Sequence, residues 1–298
     1  MWGELAAIGT AVCWSLTAVF FSYSGRIVGS GVVNRSRLLF ALAFLSIAHF
    51  LLEGTFFPRH VELFRWQWLA ISGLLGLVLG DTFLFQAYVL IGPRLSMLMM
   101  SSVPIFSLIF GWLLFGEVVS GAEMAGVLLA VGGMAWVVTE KRAGLTVVEN
   151  KQYWRGLLFG LAGALGQVAN LVTAKYGLVG GFPTVSATMI RLLVAAVVLW
   201  GLAVLRGQVR STLRQWRNRQ AFPAMVAGSF VGPFLGIWLS LTAVQLTRLG
   251  IASTLMALPP VLLIPVEYFV YRRPISSRGI VGTLVAFAGV ALIFSSGG

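Results

Sequence analysis

Ten stretches of mostly apolar residues, each about 18 to 25 residues long, run through this chain with only short loops between them. They cover residues 3–22, 34–52, 67–90, 94–115, 121–139, 156–174, 184–205, 222–246, 250–270 and 278–295. A helix that crosses the hydrocarbon core of a bilayer needs about 20 mostly apolar residues. The composition agrees, because 58% of the residues are hydrophobic and only 10% are charged. The sequence therefore predicts an all-α integral membrane protein with ten transmembrane helices.

Lys and Arg are distributed unevenly among the loops between these spans. The chain has 21 basic and nine acidic residues, which give a net charge of +12. Fourteen basic residues follow predicted spans 1, 3, 5, 7 and 9, four follow spans 2, 4, 6 and 8, and three lie at or inside spans 2 and 7. Because cytoplasmic loops are enriched in Lys and Arg, both termini are predicted to be extracytoplasmic. A nucleic-acid partner is not expected, since these residues do not form one basic face.

The two halves of the chain are similar in sequence. With an offset of 156 residues, positions 76–136 align with 232–292 without a gap, and 13 of the 61 pairs are identical. The sequence RLLFA at Arg37 also matches RLLVA at Arg191. Each half therefore contains five spans of a duplicated unit. The identical pairs include Gly76/Gly232, Gly80/Gly236, Pro104/Pro260, Gly126/Gly282 and Gly133/Gly289.

The odd number of spans in each repeat determines how the repeats lie in the membrane. After five spans the second copy enters from the opposite side, as in many secondary transporters. The loops agree, because FGEVVSGAEM after span 4 aligns with YRRPISSRGI after span 9, and only the copy predicted to be cytoplasmic has arginines. The sequence predicts two five-helix inverted-topology repeats, over residues 1–140 and 156–298, joined by a connecting loop at 141–155.

Three motifs occur in order in the first half: CWSLTAVFF in span 1, RLLFALAF in span 2 and SSVPIFSLIFGWLLFGE in span 4. With the two five-helix halves, they resemble the EamA-type transporters of the drug/metabolite transporter superfamily, over essentially the whole chain. The resemblance implies a basket of ten helices around a central cavity, opening alternately to each side of a cell membrane, with the bacterial inner membrane expected. It also implies transport of small organic molecules. Arg272 and Arg273 stand where the family often has an acid, so no symmetric role is expected for Glu117.

Asp81 is a single acidic residue within an apolar span. A carboxylate at this depth is costly unless it is neutral, paired or hydrated. Tyr88, seven residues later, shares its helix face, and this face is predicted to line the cavity. Asp81 can bind a cationic group of the substrate, carry a coupling proton, or pair with Arg37 or Arg191. The aligned residue of the second half is Ile237, so the role of Asp81 is not duplicated.

Two pairs of polar or aromatic residues occupy equivalent places in spans 1 and 6. Trp14 and Thr17 align with Gln167 and Asn170, and the members of each pair are three residues apart, on one helix face. They are predicted either to contact an amphipathic ligand or to pack between helices. Weaker candidates for the same cavity are Trp238 and Tyr268.

Two arginines and two prolines lie inside apolar spans. Arg37 and Arg191 can attract substrate carboxylates or phosphates, form ion pairs, or extend to the lipid headgroups. Pro104 and Pro260 lie near the centres of spans 4 and 9, where a proline removes a helix hydrogen bond. Helix breaks at matched positions point to a midplane binding site, and a kink that serves packing alone is the alternative.

Small residues recur at every fourth position of spans 3 and 8, which predicts close helix packing because lipid provides no hydrophobic driving force. These residues are Ser72, Gly76, Gly80, Gly228, Gly232 and Gly236.

Motifs of common enzyme classes are missing from the sequence. It has two histidines and one cysteine, and it contains no HExxH, GxSxG or GxxxxGK[ST] motif. We therefore expect no enzyme activity, no cofactor and no metal site. We predict an alternating-access transporter, a monomer or homodimer in the lipid bilayer, that exports amino acids or amphipathic drug-like molecules, with a proton as the candidate coupling ion. The alternatives are a transporter of phosphorylated or nucleotide-linked metabolites and an integral-membrane enzyme acting on lipid-linked substrates.

Overall fold

The regular secondary structure of the protein is helical. The computed structural model describes residues 1–100, 102–138, 147–259, 261–263 and 277–296, and within these ranges it contains no β-strand. Six helices are long and apolar enough to cross a membrane: Trp2–Val28, Ser30–Glu53, Leu63–Tyr88, Gln152–Gly177, Thr184–Leu205 and Ala221–Leu246. Shorter apolar helices lie at Val103–Phe115, Gly121–Gly133 and Ile280–Ile293, and another begins at Leu249. The all-helical architecture of a membrane protein is confirmed, whereas the total of ten crossing helices stays a prediction.

The first half of the chain forms six α-helices and one π-helical segment. They are α1 (Trp2–Val28), α2 (Ser30–Glu53), α3 (Leu63–Gly73), π1 (Leu74–Gly80), α4 (Asp81–Met100), α5 (Val103–Phe115) and α6 (Gly121–Val138). Two of these helices end at a glycine in the left-handed conformation, which glycine adopts without steric cost. Gly54 (φ 71°) ends α2 and Gly116 (φ 62°) ends α5.

The described residues of the second half resemble this pattern, with an additional short helix at 209–215 and with two helices, at 237–246 and 249–256, where the first half has α4. The second half contains α7 (Val147–Gly177), α8 (Thr184–Leu205), α9 (Val209–Gln215), α10 (Ala221–Ser229), π2 (Phe230–Gly236), α11 (Ile237–Leu246), α12 (Leu249–Met256) and α13 (Ser277–Ser296). The predicted connecting loop at 141–155 is wrong in its second part, because α7 begins at Val147. Glu149, Lys151 and Gln152 are polar but favour helices, so α7 extends beyond its apolar span.

The boundary between predicted spans 3 and 4 also differs. The sequence predicts a break at residues 91–93, but α4 continues through these positions to Met100, and α5 begins at Val103. Pro104 therefore lies in the first turn of α5, not near the centre of a span. A proline fits there because the first turn of a helix leaves its N–H groups unpaired in any case. Pro260 and Tyr268 lie outside the described residues.

The two π-helical segments occupy equivalent places in the two halves. π1 and π2 are separated by the same 156 residues as the sequence repeat. The N–H of Asp81 donates to the carbonyl of Gly76, and the N–H of Ile237 donates to the carbonyl of Gly232, in each case five residues earlier. Pro233 lies inside π2, but its counterpart in π1 is Leu77. The π geometry is therefore present in both copies and does not require the proline.

The helices of the two halves pack reciprocally. α1 packs against α10, π2 and α11 of the second half, and α7 packs against α3, π1 and α4 of the first half. Equivalent helices also contact each other directly, because α2 packs on α8 and α6 on α13. The chain thus forms one body in which each half covers the equivalent surface of the other.

Glycines permit the close approach of α7 to π1 and of α1 to π2. A Cβ on Gly76 would lie 2.5 Å from Cγ of Asn170, and a Cβ on Gly232 would lie 2.5 Å from Oγ1 of Thr17. Neither position has room for a larger residue. The prediction that these glycines serve helix packing is confirmed.

At one end of the molecule, Glu117 of the α5–α6 loop and Glu123 in the first turn of α6 bind α7 and the start of α12. Glu117 forms an ion pair with Lys175 and accepts a 2.8 Å hydrogen bond from the N–H of Leu249. Glu123 forms an ion pair with Arg248. Glu117 therefore satisfies a backbone donor that the first turn of α12 leaves free, and the two ion pairs connect the halves at this end.

Candidate functional site

A cavity of about 120 Å³ lies between the two halves of the protein. A water molecule needs roughly 10–15 Å³ of such space, so the cavity can hold a small organic group. Its first-half wall includes Trp14, Thr17, Arg37, Asp81, Tyr88 and Met100. Its second-half wall includes Gln167, Asn170, Arg191, Ile237, Met256 and Pro259. Most of the lining is aliphatic or aromatic, with a few charged and amide groups that can orient a ligand.

The cavity is built largely from residues that are equivalent in the two repeats. This relation holds for Trp14/Gln167, Thr17/Asn170, Arg37/Arg191, Asp81/Ile237 and Met100/Met256. α1 and α7 contribute the polar pairs, while the segments that follow π1 and π2 contribute Asp81 and Ile237. The cavity therefore lies where the two copies of the duplicated unit meet.

Asp81 and Arg37 form an ion pair inside the protein. Nη2 of Arg37 lies 2.5 Å from Oδ2 of Asp81, and their side chains are 5% and 9% exposed. Nε of Arg37 also donates to Oδ1 of Asn34 at 2.9 Å, and the guanidinium lies over the ring of Phe85, 5.1 Å from its centre. Of the two arginines predicted as possible partners of Asp81, Arg37 is the one that pairs with it in this structure.

Arg191 is buried in a different environment. Its Nη2 donates to Oδ1 of Asn170, which also accepts a 2.7 Å hydrogen bond from Oγ of Ser72. Nδ2 of Asn170 donates to Oε1 of Gln167 at 2.7 Å. Nε and Nη1 of Arg191 are buried and have no hydrogen-bond partner within the described part of the chain. Arg191 therefore carries a full positive charge with only one of its three nitrogens bonded.

The structure brings most of the predicted site residues together. Those that line the cavity are Trp14, Thr17, Asp81, Tyr88, Gln167 and Asn170, together with Arg37 and Arg191. The suggestion that the two arginines extend to lipid headgroups is wrong, because Arg37 is 4% and Arg191 is 1% exposed. Whether the lining residues contact a substrate stays a prediction.

Trp238 does not line the cavity, contrary to the sequence prediction. Its Nε1 donates to Oγ1 of Thr184 at 3.0 Å, and its ring packs near Phe234 with centres 6.0 Å apart. The neighbouring residue Ile237 takes the cavity position instead. Ile237 lies on the same helix face as Pro233 and Ser240, which also line the cavity.

Several lining residues were missed by the sequence analysis. They include Phe21, Met100, Ser253 and Met256. Met100 and Met256 form an identical pair in the repeat alignment, so that alignment contained a usable signal. Phe21 and Ser253 have no comparable signal. Among the described residues, no group of three or more His, Cys, Asp or Glu side chains is arranged to hold a metal ion.

Comparisons with known proteins agree with this architecture. The crystal structure of another protein is similar to this one, with a TM-score of 0.76 and 19% sequence identity. The similarity covers 97% of this chain and 95% of that chain. At this identity the likeness shows the fold alone. None of the curated proteins matches the sequence. The sequence model of the EamA-like transporter family matches twice, at residues 1–139 and 154–295. With nearly the whole chain covered in two halves, the protein belongs to the EamA-like transporter family, and it is a multi-pass membrane protein of the drug/metabolite transporter type.

Proposed function

We propose that this protein is an alternating-access carrier that exports amino acids or amphipathic drug-like molecules through the cavity between its two halves. The observation that supports this proposal most directly is the cavity itself, which is walled by equivalent residues of both repeats and contains Asp81, Arg37 and Arg191. The aromatic and aliphatic lining suits an apolar body, and the charged groups suit a zwitterionic head.

The two repeats have opposite orientations in this proposal, and both termini lie outside the cytoplasm. The reciprocal helix packing supports it, and so does the excess of arginines in the copy of each loop that is predicted to be cytoplasmic. A cysteine added after Gly298 should react with an impermeant maleimide on intact bacterial cells. A matched cysteine in the arginine-rich loop at 206–219 should react only after the membrane is opened. The opposite labelling pattern would overturn the orientation.

Alternating access requires that the two halves rock against each other around the cavity. The glycine contacts of π1 with α7 and of π2 with α1 are suited to this movement, because small residues let helix surfaces slide without interlocking side chains. The ion pairs Glu117–Lys175 and Glu123–Arg248 join the halves at one end. They must separate when the cavity opens toward that end.

An enzyme is a weaker explanation of the geometry. His49 and Ser186 are in contact, with Nε2 and Oγ 2.9 Å apart, as a nucleophile and its base would be. Neither residue lines the cavity, and Nδ1 of His49 faces the carbonyl of Thr55 at 2.5 Å. A substrate in the cavity therefore does not meet this pair.

Transport should be measured in proteoliposomes, with a panel of labelled amino acids, in both directions and with or without a pH gradient. Ala18 lines the cavity, so Ala18→Phe should block transport, whereas Val12→Phe on the exposed face of the same helix should not. Transport no faster than in empty liposomes would refute the substrate class. Inhibition by sugar phosphates alone would favour the phosphorylated metabolites.

The same assay separates the roles of Asp81. If the pH gradient drives accumulation by the wild type but not by Asp81→Asn, Asp81 is the coupling carboxylate. If both proteins only equilibrate the substrate, the protein is a facilitator and Asp81 serves the ion pair with Arg37.

A further inference from the structure

Among the described residues, the cavity lining contains two arginines and one acid. Arg37 and Arg191 are equivalent in the repeat, and both line the cavity. Arg37 has Asp81 as its partner, whereas the residue equivalent to Asp81 in the second half is Ile237, which also lines the cavity. The second copy of the ion pair is therefore incomplete at a defined position.

Arg191 shows the consequence of this missing acid. It is 1% exposed, and its Nε and Nη1 have no hydrogen-bond partner among the described residues. A buried, charged donor without a partner is among the costliest features of a folded protein. Such a group is retained where a ligand supplies the missing partner, because binding then recovers the cost.

We propose that Arg191 binds the carboxylate of the transported molecule, which takes the place that Asp81 occupies at Arg37. This inference rests on the transport function proposed above. Asn170 is positioned to orient Arg191, because it accepts from Nη2 while Ser72 and Gln167 fix its own amide. The guanidinium is thus held before the ligand arrives, and its remaining nitrogens can donate to carboxylate oxygens.

The charge of the cavity favours a carboxylate over a phosphate monoester. Arg37 and Asp81 neutralise each other, so Arg191 leaves one net positive charge among the described lining residues. The carboxylate group of a ligand has one negative charge and matches the charge of Arg191. A phosphate monoester approaches two negative charges at neutral pH, and one of them would remain uncompensated in a mostly apolar cavity.

The decisive variant supplies the missing acid from the protein. Ile237→Asp places a carboxylate at the position equivalent to Asp81 and should neutralise Arg191 without any ligand. Ile237→Asn is the matched control, because it has nearly the same shape and no charge. Arg191→Gln removes the guanidinium, and Arg191→Lys keeps the charge but not the planar donor group.

Ligand binding should be measured as a thermal shift of the purified protein in detergent, with each common amino acid and its carboxamide as probes. We expect at least one amino acid to stabilise the wild type while its amide does so about 10- to 100-fold more weakly, the ratio given by one charged hydrogen bond. Ile237→Asp should raise the melting temperature of the unliganded protein and abolish the shift with the acid. Ile237→Asn should leave the melting temperature of the unliganded protein and the shift with the acid unchanged. Arg191→Gln should lose the shift with the acid, and Arg191→Lys should retain part of that shift.

Three results would overturn the inference: equal stabilisation by acid and amide, undiminished acid binding by Ile237→Asp or Arg191→Gln, or no shift with any acid of the panel. Uptake measured in parallel separates this inference from the transport proposal. Equal uptake of acids and amides would leave the transporter standing and exclude Arg191 from carboxylate recognition. Acid binding that depends on Arg191, without any uptake, would leave the carboxylate site standing and refute transport.

Discussion

The ion pair between Arg37 and Asp81 can be tested by a double-mutant cycle. The three variants are Asp81→Asn, Arg37→Gln and the combination of both. Each single change leaves one charge inside the protein, where the partner side chains are only 5% and 9% exposed and Nη2 and Oδ2 are 2.5 Å apart. The double variant removes both charges and leaves two neutral amides that can still hydrogen-bond.

The expected losses of unfolding free energy follow from the burial of the pair. Two unit charges about 4 Å apart attract by about 4 kcal/mol at an effective dielectric constant of 20. Removing one partner of a buried pair typically costs about 3–5 kcal/mol, whereas replacing both is often close to neutral. We therefore expect each single variant to lose about 3 kcal/mol of unfolding free energy. The double variant should lose clearly less than the sum, which corresponds to a coupling of about 2 kcal/mol or more.

Reversible unfolding in mixed micelles, titrated with SDS and followed by tryptophan fluorescence, measures these differences. The pair Arg65–Glu62 is the control, because the Glu62 side chain is 67% exposed and its Oε2 lies 2.8 Å from Nε of Arg65. The same cycle on this exposed pair should give a coupling below about 1 kcal/mol. A coupling for Arg37 and Asp81 no larger than this control would refute the argument that the buried pair stabilises the fold.

Two further predictions concern the packing of π1 at Gly76 and the contacts that Glu117 of the α5–α6 loop makes with the second half. Gly76→Ala should lower the unfolding free energy by about 1–3 kcal/mol, because its Cβ would lie 2.5 Å from Cγ of Asn170. Gly201→Ala, which meets nothing within 4 Å, should be neutral or stabilising in the same SDS titration, and equal losses would contradict the packing argument. Glu117→Gln should cost about 1–3 kcal/mol, because it removes the ion pair with Lys175 and a charged acceptor at the start of α12. An unchanged melting temperature in detergent would show that this contact does not hold the halves together.

Much of the architecture could be predicted because it depends on features that do not require knowledge of contacts. The length of each apolar run identifies most membrane-crossing helices, and the constant spacing of glycines identifies the repeat. Residues on one helix face, such as Trp14 and Thr17 or Gln167 and Asn170, were also predicted to lie together, and all four line the cavity. Local periodicity was sufficient for these features.

The remaining features depend on tertiary geometry. The sequence offered Arg37 and Arg191 as equal partners for Asp81, and only the packing of α2 against α4 selects Arg37. Trp238 was misplaced because an aromatic side chain suits a cavity wall and a helix interface equally well, and only its contacts with Thr184 and Phe234 place it at the interface. The limit between spans 3 and 4 was misplaced because Gly92 and Pro93 are typical of a helix end, whereas α4 continues through both of them, as helices in membranes can.

The π-helical segments also determine which changes of chain length this protein can accept. A π turn holds about one residue more than an α turn, so removing one residue from π1 would let the segment return to α-helical geometry with little rotation of the residues on either side. Removing one residue from α3 instead would rotate everything after it by about 100° and shift it by about 1.5 Å, and Asp81, the first residue after π1, would turn away from Arg37. A deletion in the loop between Glu53 and Leu63 would rotate no helix face. π1 and π2 are therefore the places within these helices where the loss of one residue rotates the following face least, whereas the number of residues in the α-helical parts, and not only their identity, is under constraint.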